Sequence, residues 1–468
     1  MESAIRNTGI VLLMDTWSED GRKLFDSLVK AGYDVNGVVV EDDGFLPDGV
    51  ISMKEYFLGD FKAAGEEFVK NGGINANIKS DSIPGHPRYF NQIEVPEYWS
   101  IQATNTDGQI MDKGVERAHI YYAEPKHKRL VSIVEWTDIK KTVRCSDHYN
   151  KYGALYARTV FNARGERVSK TYFGVDGAEI ITENLVTKDI LLNCEDGLRI
   201  FRSKADFVAY FLKKSGLDMS RIMYNTLSTS FFSTLQLEEN NKQDIMFWQE
   251  NTGVEIPGNM KFILNGNAKR TERIYVQKKA AYDRLIELGA SPDKVKYLGY
   301  IYDFKRENLH RPTALVCTNS DQVVNLEKLL IALPEIHFNV AALTEMSSKL
   351  MDLDKYDNIS LYPCVKTYMQ KELFEDNDIY LDINREGEIL DAVHTAFMNN
   401  MLILGFSEVA HNRIYVPNEH ILSENDLDKM IELLKNVVSS GAIMDRELEI
   451  QHTEALCETA ERYRELIQ

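Results

Sequence analysis

The chain has 468 residues, more than a single hydrophobic core usually supports, so two or three domains are expected. Hydrophobic residues make up 44% of the sequence and charged residues 27%, a balance typical of a soluble globular protein. The formal net charge of −18 argues against a nucleic-acid-binding protein, because contacts to phosphates require a basic surface.

The N-terminal segment contains one short apolar run, at residues 10–14, which Asp15 ends. This run is too short for the core of a signal peptide or for a membrane span. We therefore expect a cytoplasmic protein, for which any membrane association is peripheral. The five cysteines are widely spaced without a CxxC pair, and the histidines show no ligand spacing, so we predict free thiols, no metal site and no cofactor.

The first 60 residues show a β-α-β pattern. Residues 10–14 and 38–40 are apolar strands, and the helix predicted between them carries Leu24 and Leu28 on one face. This pattern is typical of the first part of a Rossmann-like domain.

Residues 85–193 show a different pattern, with short alternating strands and frequent turn signals. Gly153, Gly165 and Gly177 recur every twelve residues, each four positions after an aromatic residue. Residues 137–141 are a degenerate earlier copy that lacks the glycine. This spacing predicts an antiparallel meander, which we interpret as an inserted platform for protein contacts.

Helices and strands alternate again after residue 194 and do so most clearly after residue 313. Alternation at this rate predicts a parallel sheet with right-handed crossovers. Residues 426–468 are rich in Glu and Leu and are predicted to be helical. The alternation after residue 313 marks a second α/β unit. Its predicted strands are residues 313–317, 338–343, 359–362, 379–383 and 401–404.

The predicted fold class is therefore α/β, with two Rossmann-like domains and an inserted antiparallel β-meander. The first Rossmann-like domain is expected in two parts, because the insertion interrupts it. The predicted divisions are 1–84 and 194–305 for the first Rossmann-like domain, 85–193 for the insertion, 306–445 for the second Rossmann-like domain, and 446–468 for a C-terminal helix that returns to the first domain.

Polar residues that follow the predicted strands form the candidate binding site. Ligands of doubly wound α/β folds bind at the carboxyl ends of the strands, next to helix N-termini. Trp and carboxamide side chains are suited to sugar or peptide contacts. The candidate residues are Trp248, Gln249, Glu250, Asn265, Thr318, Asn319, Ser320, Thr344, Glu345, Asn384, Arg385, Glu386 and Glu388.

Several of these candidates also have a purely structural explanation. Ser320 or Asp321 could cap a helix predicted at residues 322–333, and either Thr344 or Ser347 could cap the next one. Trp248 at a strand end is more often a core residue than a ligand contact. Asn265 belongs to an Asn-Gly pair, which marks ordinary turns.

The loop and helix after residue 383 can be compared with retaining glycosyltransferases that have two facing Rossmann domains, the GT-B fold. In those enzymes two glutamates eight positions apart hold the donor sugar nucleotide. Here Glu386 would be the first, but position 394 is His394, and counting from Glu388 leads to Ala396. The Gly-Arg pair that neutralises the leaving diphosphate is also missing after residue 317, where only Lys328 is nearby. We therefore predict no catalytic residue.

Seven segments together closely resemble one protein family. They are residues 41–47, 89–96, 146–152, 247–250, 255–260, 343–349 and 380–384. The chain is similar over essentially its whole length to the GtfB-type stabilising subunit of the bacterial O-GlcNAc transferase complex. That complex modifies serine-rich repeat adhesins, which the accessory Sec system exports.

The resemblance implies a GT-B fold with an inserted β-sheet domain and no transferase activity of the chain alone. The implied partner is a homologous catalytic subunit that binds UDP-GlcNAc, in an expected heterotetramer with two copies of each subunit. The implied acceptor is a serine-rich repeat adhesin, bound in the cytoplasm at or near the membrane. The stabilising subunit is expected to help hold this acceptor.

The sequence is also compatible with two other functions. The chain could be an active retaining GT-B glycosyltransferase that uses Glu386 or Glu388 with a nucleotide sugar, and turnover by the chain alone would establish this. It could also be a pure scaffold with a closed cleft, which predicts no affinity for acceptor or nucleotide.

Overall fold

A computed structural model describes residues 9–70, 83–194 and 196–467 of the chain. These residues form two compact units, the first ending at Leu298 and the second beginning at Gly299. The first unit contains a parallel sheet and a large antiparallel sheet, and the second contains one parallel sheet.

The first unit begins with the predicted β-α-β pattern. The apolar run at its start is a buried strand, and Ser18 caps the following helix by accepting a hydrogen bond from the Gly21 amide at 3.1 Å. The elements are β1 (Ile10–Thr16), α1 (Glu19–Lys30), β2 (Val35–Glu41), β3 (Val50–Ser52), α2 (Glu55–Leu58) and α3 (Phe61–Lys70).

The antiparallel sheet has ten strands, and every strand pairs with its neighbours in the sequence. The predicted meander is therefore confirmed, and its last two strands lie on either side of residue 195. Short 3₁₀ turns occur at Phe90–Gln92 and Lys126–Lys128. The strands are β4 (Ser100–Ala103), β5 (Asp107–Asp112), β6 (Val115–Tyr122), β7 (Val131–Thr137), β8 (Val143–Tyr149), β9 (Leu155–Phe161), β10 (Arg167–Phe173), β11 (Glu179–Asn184), β12 (Ile190–Cys194) and β13 (Gly197–Phe201).

The twelve-residue repeat corresponds to three successive hairpin turns. Gly153, Gly165 and Gly177 have φ angles of 79°, 77° and 77°, a conformation that costs glycine little. The degenerate copy forms the same turn, with Lys141 at φ 61° in the place of the glycine. The Asp138 amide donates to the Thr142 carbonyl at 2.9 Å and closes that hairpin.

The rest of the first unit completes its parallel sheet, in the order β17-β16-β15-β14-β1-β2-β3. The meander thus interrupts a single sheet, whose later strands pair with β1. The elements are α4 (Lys204–Lys214), β14 (Ile222–Tyr224), α5 (Thr229–Thr234), β15 (Asp244–Trp248), α6 (Gly258–Leu264), β16 (Thr271–Val276), α7 (Lys279–Glu287) and β17 (Val295–Tyr297).

The second unit is a parallel sheet in the order β20-β19-β18-β21-β22-β23, with apolar clusters on both faces. Burial on both faces explains the nearly continuous apolar strands. Two 3₁₀ turns lie at Asp352–Lys355 and Asn418–His420. The elements are β18 (Thr313–Thr318), α8 (Leu326–Ala332), β19 (His337–Ala342), α9 (Ser348–Met351), β20 (Ile359–Tyr362), α10 (Thr367–Asp376), β21 (Ile379–Asp382), α11 (Ala392–Met398), β22 (Leu402–Phe406), β23 (Ile421–Leu422), α12 (Leu427–Ser439), α13 (Gly441–Glu454) and α14 (Ala460–Leu466).

Candidate functional site

A buried carboxamide, that of Asn384, lies at the centre of the carboxyl edge of the second sheet. Its Oδ1 accepts a hydrogen bond from the Thr318 hydroxyl at 2.9 Å, and its Nδ2 donates to Asn319 Oδ1 at 3.2 Å. Nδ2 also donates to the carbonyls of Glu386 and Gly387, at 2.9 and 3.2 Å. The loops after β18 and β21, which the sequence predicts at one edge, are therefore joined by this side chain.

Neither Ser320 nor Asp321 caps a helix, so that structural explanation is wrong. Helix α8 begins at Leu326 rather than at residue 322. Residues 322–324 instead run alongside the chain that follows β21, where the Arg385 amide donates to the Gln322 carbonyl at 3.0 Å. Because these backbone groups pair with another segment, the helix begins only after them.

The two glutamates of the loop after β21 have different surroundings. Glu388 is half-buried, and its Oε1 accepts a hydrogen bond at 2.9 Å from the Val393 amide. That amide lies in the first turn of α11, where amides lack partners within the helix, so Glu388 caps α11. Glu386 is exposed, and its carboxylate has no partner in the described part of the chain. Of the two, Glu386 is the one available to a ligand.

Position 394 holds a histidine with partners of its own. His394 Nδ1 lies 2.9 Å from Asp391 Oδ2, and its ring stacks on Tyr415 with the centroids 5.6 Å apart. An imidazole has neither the negative charge nor the two acceptor oxygens of a glutamate. The pair of glutamates used by retaining GT-B enzymes is therefore not reproduced at this position.

His411 is part of the site, although its position in the sequence gives no sign of this. Its Nδ1 lies 2.6 Å from Asp382 Oδ1, and its Nε2 lies 2.6 Å from the Glu386 carbonyl oxygen. Because both partners can only accept, this arrangement favours the doubly protonated, cationic imidazole. Burial alone would lower the pKa of His411, but Asp382 and the Glu386 carbonyl outweigh burial and raise it. No local sequence signal joins residues 382 and 411, which only the fold brings together.

The anchoring of the Glu386 loop by His411 should weaken at alkaline pH. A pKa raised above the ordinary value of 6.5 means that the stabilisation is complete below pH 6.5 and is lost as pH rises through the folded-state pKa. We expect the amides of residues 384–391 to lose protection as pH rises from 6 to 9, measured by hydrogen exchange corrected for intrinsic rates. The change should be absent in His411→Gln and retained in His394→Gln. Identical profiles in wild type and His411→Gln would contradict it.

The loop after β19 also ends at the carboxyl edge and leaves two candidates exposed. The Ser347 hydroxyl accepts from the Leu350 amide at 3.4 Å, so Ser347 rather than Thr344 caps α9. The Thr344 carbonyl accepts from the Cys364 amide at 3.0 Å. The side chains of Thr344 and Glu345 are exposed and can donate to or accept from a ligand.

A cavity of about 510 Å³ opens beside these loops in the second unit. Arg385 lines it, and its Nη2 lies 2.6 Å from Glu424 Oε2. A leaving diphosphate requires an excess of positive charge, whereas the three cations and three carboxylates of this cavity cancel. The six charged residues are Lys328, Lys349, Arg385, Asp321, Glu327 and Glu424.

Two candidates of the first unit, Trp248 and Gln249, are buried. Gln249 Nε2 donates to Gln277 Oε1 at 2.6 Å, and its Oε1 accepts from Asn225 Nδ2 at 2.8 Å. This chain of carboxamides joins the carboxyl ends of β14, β15 and β16. Glu250 is exposed and is the member of this group that a ligand can reach.

Asn265 lies at the opposite edge of the first sheet. It follows α6 directly, and its amide donates to the Lys261 carbonyl at 2.9 Å. The chain then enters β16 at its amino end, where Arg270 Nε donates at 2.7 Å to the carboxylate of Asp244, the first residue of β15. Because α6 returns the chain across the sheet, Asn265 does not share an edge with Glu250, and the sequence-based grouping of the two is wrong.

The exposed candidates at the carboxyl edges are hydrogen-bonding side chains. They can bind the hydroxyl and amide groups of a ligand. Within residues 9–70, 83–194 and 196–467, no cluster of His, Cys, Asp and Glu has the arrangement of a metal site. No helix in those ranges has both the length and the apolarity that a membrane span requires. The exposed candidates are Glu250, Asn319, Thr344, Glu345, Arg385 and Glu386.

Four family models match successive parts of the chain. They are the GtfB N-terminal domain at residues 11–57, the GtfB middle domain at 99–202 and the GtfB third domain at 204–288. The fourth is the GftB/GlyA-F C-terminal domain, at residues 314–451. The middle-domain match coincides closely with the ten-stranded sheet.

Solved structures show the same fold. The chain is similar to a chain of the GtfA/B complex bound to UDP and GlcNAc, with 38% identity, a TM-score of 0.82 and coverage of 97% of this chain and 98% of that one. It also has the fold of the pneumococcal O-GlcNAc transferase GtfA in complex with UDP and GlcNAc, at 13% identity, a TM-score of 0.51 and 99% coverage of each chain. The predicted α/β fold of the GT-B type, with its antiparallel insertion, is thus confirmed.

Relatives of full length carry one name, the UDP-N-acetylglucosamine–peptide N-acetylglucosaminyltransferase stabilizing protein GtfB. The protein of Streptococcus gordonii is 39% identical over 98% of this chain and 98% of its own length. That of Streptococcus pneumoniae serotype 4 is 38% identical over 98% of this chain and 99% of its own. The chain therefore belongs to the GtfB family of stabilizing proteins.

Proposed function

We propose that this chain is the non-catalytic subunit of a protein O-GlcNAc transferase. In this function it stabilises a homologous catalytic partner and holds the serine-rich acceptor polypeptide. The observation that carries the proposal is the full-length similarity to proteins named as stabilizing subunits, at 39% identity over 98% of both chains. The partner would add GlcNAc from UDP-GlcNAc to serine and threonine hydroxyls.

The surroundings of the donor-site positions support a non-catalytic chain. His394 stands where a second glutamate would bind the donor, and it is engaged with Asp391 and Tyr415. Glu388 is occupied as the cap of α11. The neighbouring cavity has no excess of cations to stabilise a departing diphosphate. These features count against the rival function of an active retaining glycosyltransferase.

The exposed polar residues of the carboxyl edges are the proposed acceptor contacts. A serine-rich polypeptide is disordered when free, so ordering it costs entropy that hydrogen bonds must offset. Asn319, Thr344 and Glu386 in the second unit, and Glu250 in the first, present suitable donors and acceptors. Asn384 and the other buried candidates would act indirectly, by holding these loops in place.

The β-meander is the proposed docking element for the catalytic partner. Its last strand, β13, pairs on one side with β12 and has no second strand beside it in the described part of the chain. Leu198 and Ile200 of this edge strand are both more than half exposed. An unpaired edge can add a strand from a partner. We propose assembly as two copies of each subunit in the cytoplasm, with peripheral membrane association.

Calorimetric titration of the isolated chain separates the three functions. We expect saturable binding of a serine-rich acceptor peptide and none of UDP-GlcNAc. Binding of UDP-GlcNAc with turnover would establish the active glycosyltransferase instead. An absence of binding to both ligands, with intact assembly on the catalytic partner, would establish the pure scaffold.

Replacing Glu386 by glutamine should weaken acceptor binding without affecting assembly. The carboxylate is exposed, so the substitution removes a charged acceptor but leaves the fold intact. Loss of one charge-assisted hydrogen bond of about 1.5 kcal/mol predicts a decrease in affinity of about tenfold. The control is Glu335→Gln, an exposed glutamate before β19 at the amino edge of the same sheet. Unchanged peptide affinity with lost assembly would show that Glu386 acts in docking instead.

A further inference from the structure

A polar cavity of about 240 Å³ opens on one face of the β-meander, within the first unit. The strand register places its side chains in a row. Lys170 of β10 pairs with Glu183 of β11 and with Thr159 of β9, and Thr159 pairs with Ser146 of β8. Directly paired residues of antiparallel strands point to the same face, so the row lines the cavity. None of these residues belongs to the site described above.

The charges at the base of the cavity neutralise each other. Lys54, whose side chain is 2% exposed, pairs with Glu41 and, at 3.2 Å, with Glu183. Lys204, the first residue of α4, also pairs with Glu41. Two ammonium groups thus compensate two carboxylates, and this group contributes no net charge to the cavity.

Two further cations line the cavity outside these ion pairs. The side chains of Arg167 and Lys170 make no hydrogen bond and no ion pair within 4 Å among the described residues. The remaining carboxylate, that of Glu135, accepts hydrogen bonds from the Tyr121 and Ser146 hydroxyls, at 3.2 and 3.4 Å. Across the lining, the three cations Arg167, Lys170 and Lys204 match the three carboxylates of Glu41, Glu135 and Glu183, and the neighbouring Lys54 and Asp42 also cancel, so the cavity has no net charge. Its distinguishing feature is that, within the described ranges, the two cations Arg167 and Lys170 are not engaged in any ion pair.

The ammonium group of Lys170 lies over the Tyr172 ring, 5.0 Å from its centroid, and makes no ion pair within 4 Å in the part of the chain that the structure describes. Burial and the charge of Lys54 lower its pKa to about 8, in spite of the opposing effect of nearby carboxylates. His148, beside it, is neutral, because burial and the neighbouring cations lower its pKa to about 3. A bound anion would stabilise the charged form of Lys170. The charged groups around Lys170 are Lys54, Arg167, Lys204, Glu41, Asp42, Glu135 and Glu183.

We propose that this cavity binds a small oxyanion, with Arg167 and Lys170 as its cationic contacts. The volume admits several water-sized groups, enough for a sulfate-sized or carboxylate-bearing ligand. A guanidinium group offers paired donors to two oxygens of such an anion, and the hydroxyls of Ser146 and Thr159 line the same cavity. Phosphate-type and carboxylate ligands share this chemistry. The proposal is independent of the acceptor site and of the catalytic partner.

The proposal can be tested by calorimetry on the full chain, with sulfate and acetate as probes at constant ionic strength. Sulfate does not titrate between pH 6 and 9. We expect one saturable site, with affinity reduced at least about tenfold by Arg167→Gln and by Lys170→Gln. Matched controls on exposed positions of the same sheet, Arg144→Gln and Lys140→Gln, should leave binding unchanged. Circular dichroism verifies that each variant is folded.

The pH dependence provides a second readout. With a pKa near 8, Lys170 is about 90% protonated at pH 7 and about 10% at pH 9, so sulfate affinity should fall by up to about tenfold over this range. Lys170→Gln should not show this fall. Preference for sulfate would indicate a phosphate-type ligand, and preference for acetate a carboxylate ligand. Lack of saturable binding of either probe, or equal losses in the control variants, would overturn the proposal.

Discussion

Replacement of Asp378 by asparagine is expected to destabilise the second unit by about 3 kcal/mol. Asp378 precedes β21 and is fully buried. Its Oδ1 accepts from Arg306 Nη1 at 2.6 Å and Arg311 Nη2 at 2.9 Å, and its Oδ2 accepts from the Leu309 and Arg311 amides at 3.0 and 2.7 Å. The substitution leaves the Arg306 guanidinium without its counter-ion and leaves Arg311 with only the exposed Asp376, at 3.6 Å. Loss of one partner of a buried pair costs about 3–5 kcal/mol, and the partial exposure of Arg311 favours the lower value.

The measurement can separate the two units. The four tryptophans, at residues 17, 99, 136 and 248, all lie in the first unit, so their fluorescence reports on that unit alone. Hydrogen exchange in β18, β21 and β22 reports on the second. The control is Asp376→Asn, because this carboxylate is 75% exposed and 3.6 Å from Arg311, and it should cost less than about 1 kcal/mol. Equal losses of protection in both variants would contradict the expectation.

The contribution of Asp378 to the stability of the second unit also depends on pH. Burial raises the pKa of Asp378, but the hydrogen bonds and charges of Arg311 and Arg306 outweigh burial, and the pKa lies below its ordinary value of 3.8. A lowered folded-state pKa gives stabilisation that is complete above the unfolded-state pKa and is lost as pH falls through the folded-state pKa. The difference in protection between wild type and Asp378→Asn should therefore shrink below about pH 4.

Replacement of Asn384 by alanine is expected to cost about 2–3 kcal/mol and to disorganise the candidate site. The substitution leaves the Thr318 hydroxyl and the carbonyls of Glu386 and Gly387 without this partner. Both loops lose the side chain that joins them. Acceptor affinity should fall further than in Glu386→Gln, because the positions of several contacts change together. Hydrogen exchange across residues 318–325 and 384–391 measures the first effect, and peptide titration measures the second.

Asn319→Ala is the matched control for Asn384→Ala. Asn319 is exposed, and its hydrogen bond with Asn384, at 3.2 Å, is long. We expect a stability change within about 0.5 kcal/mol, together with weaker acceptor binding. Unchanged exchange of both loops in Asn384→Ala would show that the backbone pairing of residues 322–324 with the chain after β21 is sufficient to hold them.

The elements that could be predicted from the sequence are those whose signal is local. The apolar run at residues 379–383 corresponds to β21, and the glycines at twelve-residue spacing correspond to hairpin turns. Lys141 shows that even the copy without glycine forms its turn. In each case adjacent residues carry both the periodicity and the turn conformation, so no distant contact is needed to recognise them.

The structure differs from the sequence-based prediction where a distant segment competes for backbone or side-chain groups. The predicted helix at residues 322–333 begins only at Leu326, because the chain after β21 takes the backbone partners of residues 322–324. The sequence also predicts Asn265 at the same edge as Glu250, although helix α6 carries the chain to the other edge of the sheet. Both errors concern the path of the chain in space, which residue type and spacing do not encode.

The α/β class, the antiparallel insertion, the family resemblance and the histidine in place of a donor-binding glutamate at position 394 can all be recognised in the linear sequence. These follow from local periodicity and from the identity of residues at known spacings. Which polar residues are accessible depends instead on the folded chain. Glu388 and Gln249 are occupied by internal hydrogen bonds, whereas Glu386 and Glu250 are exposed. His411 gains its role from Asp382, 29 residues away in sequence. The physical reason is that buried polar groups must find partners, and those partners are chosen by proximity in the folded chain.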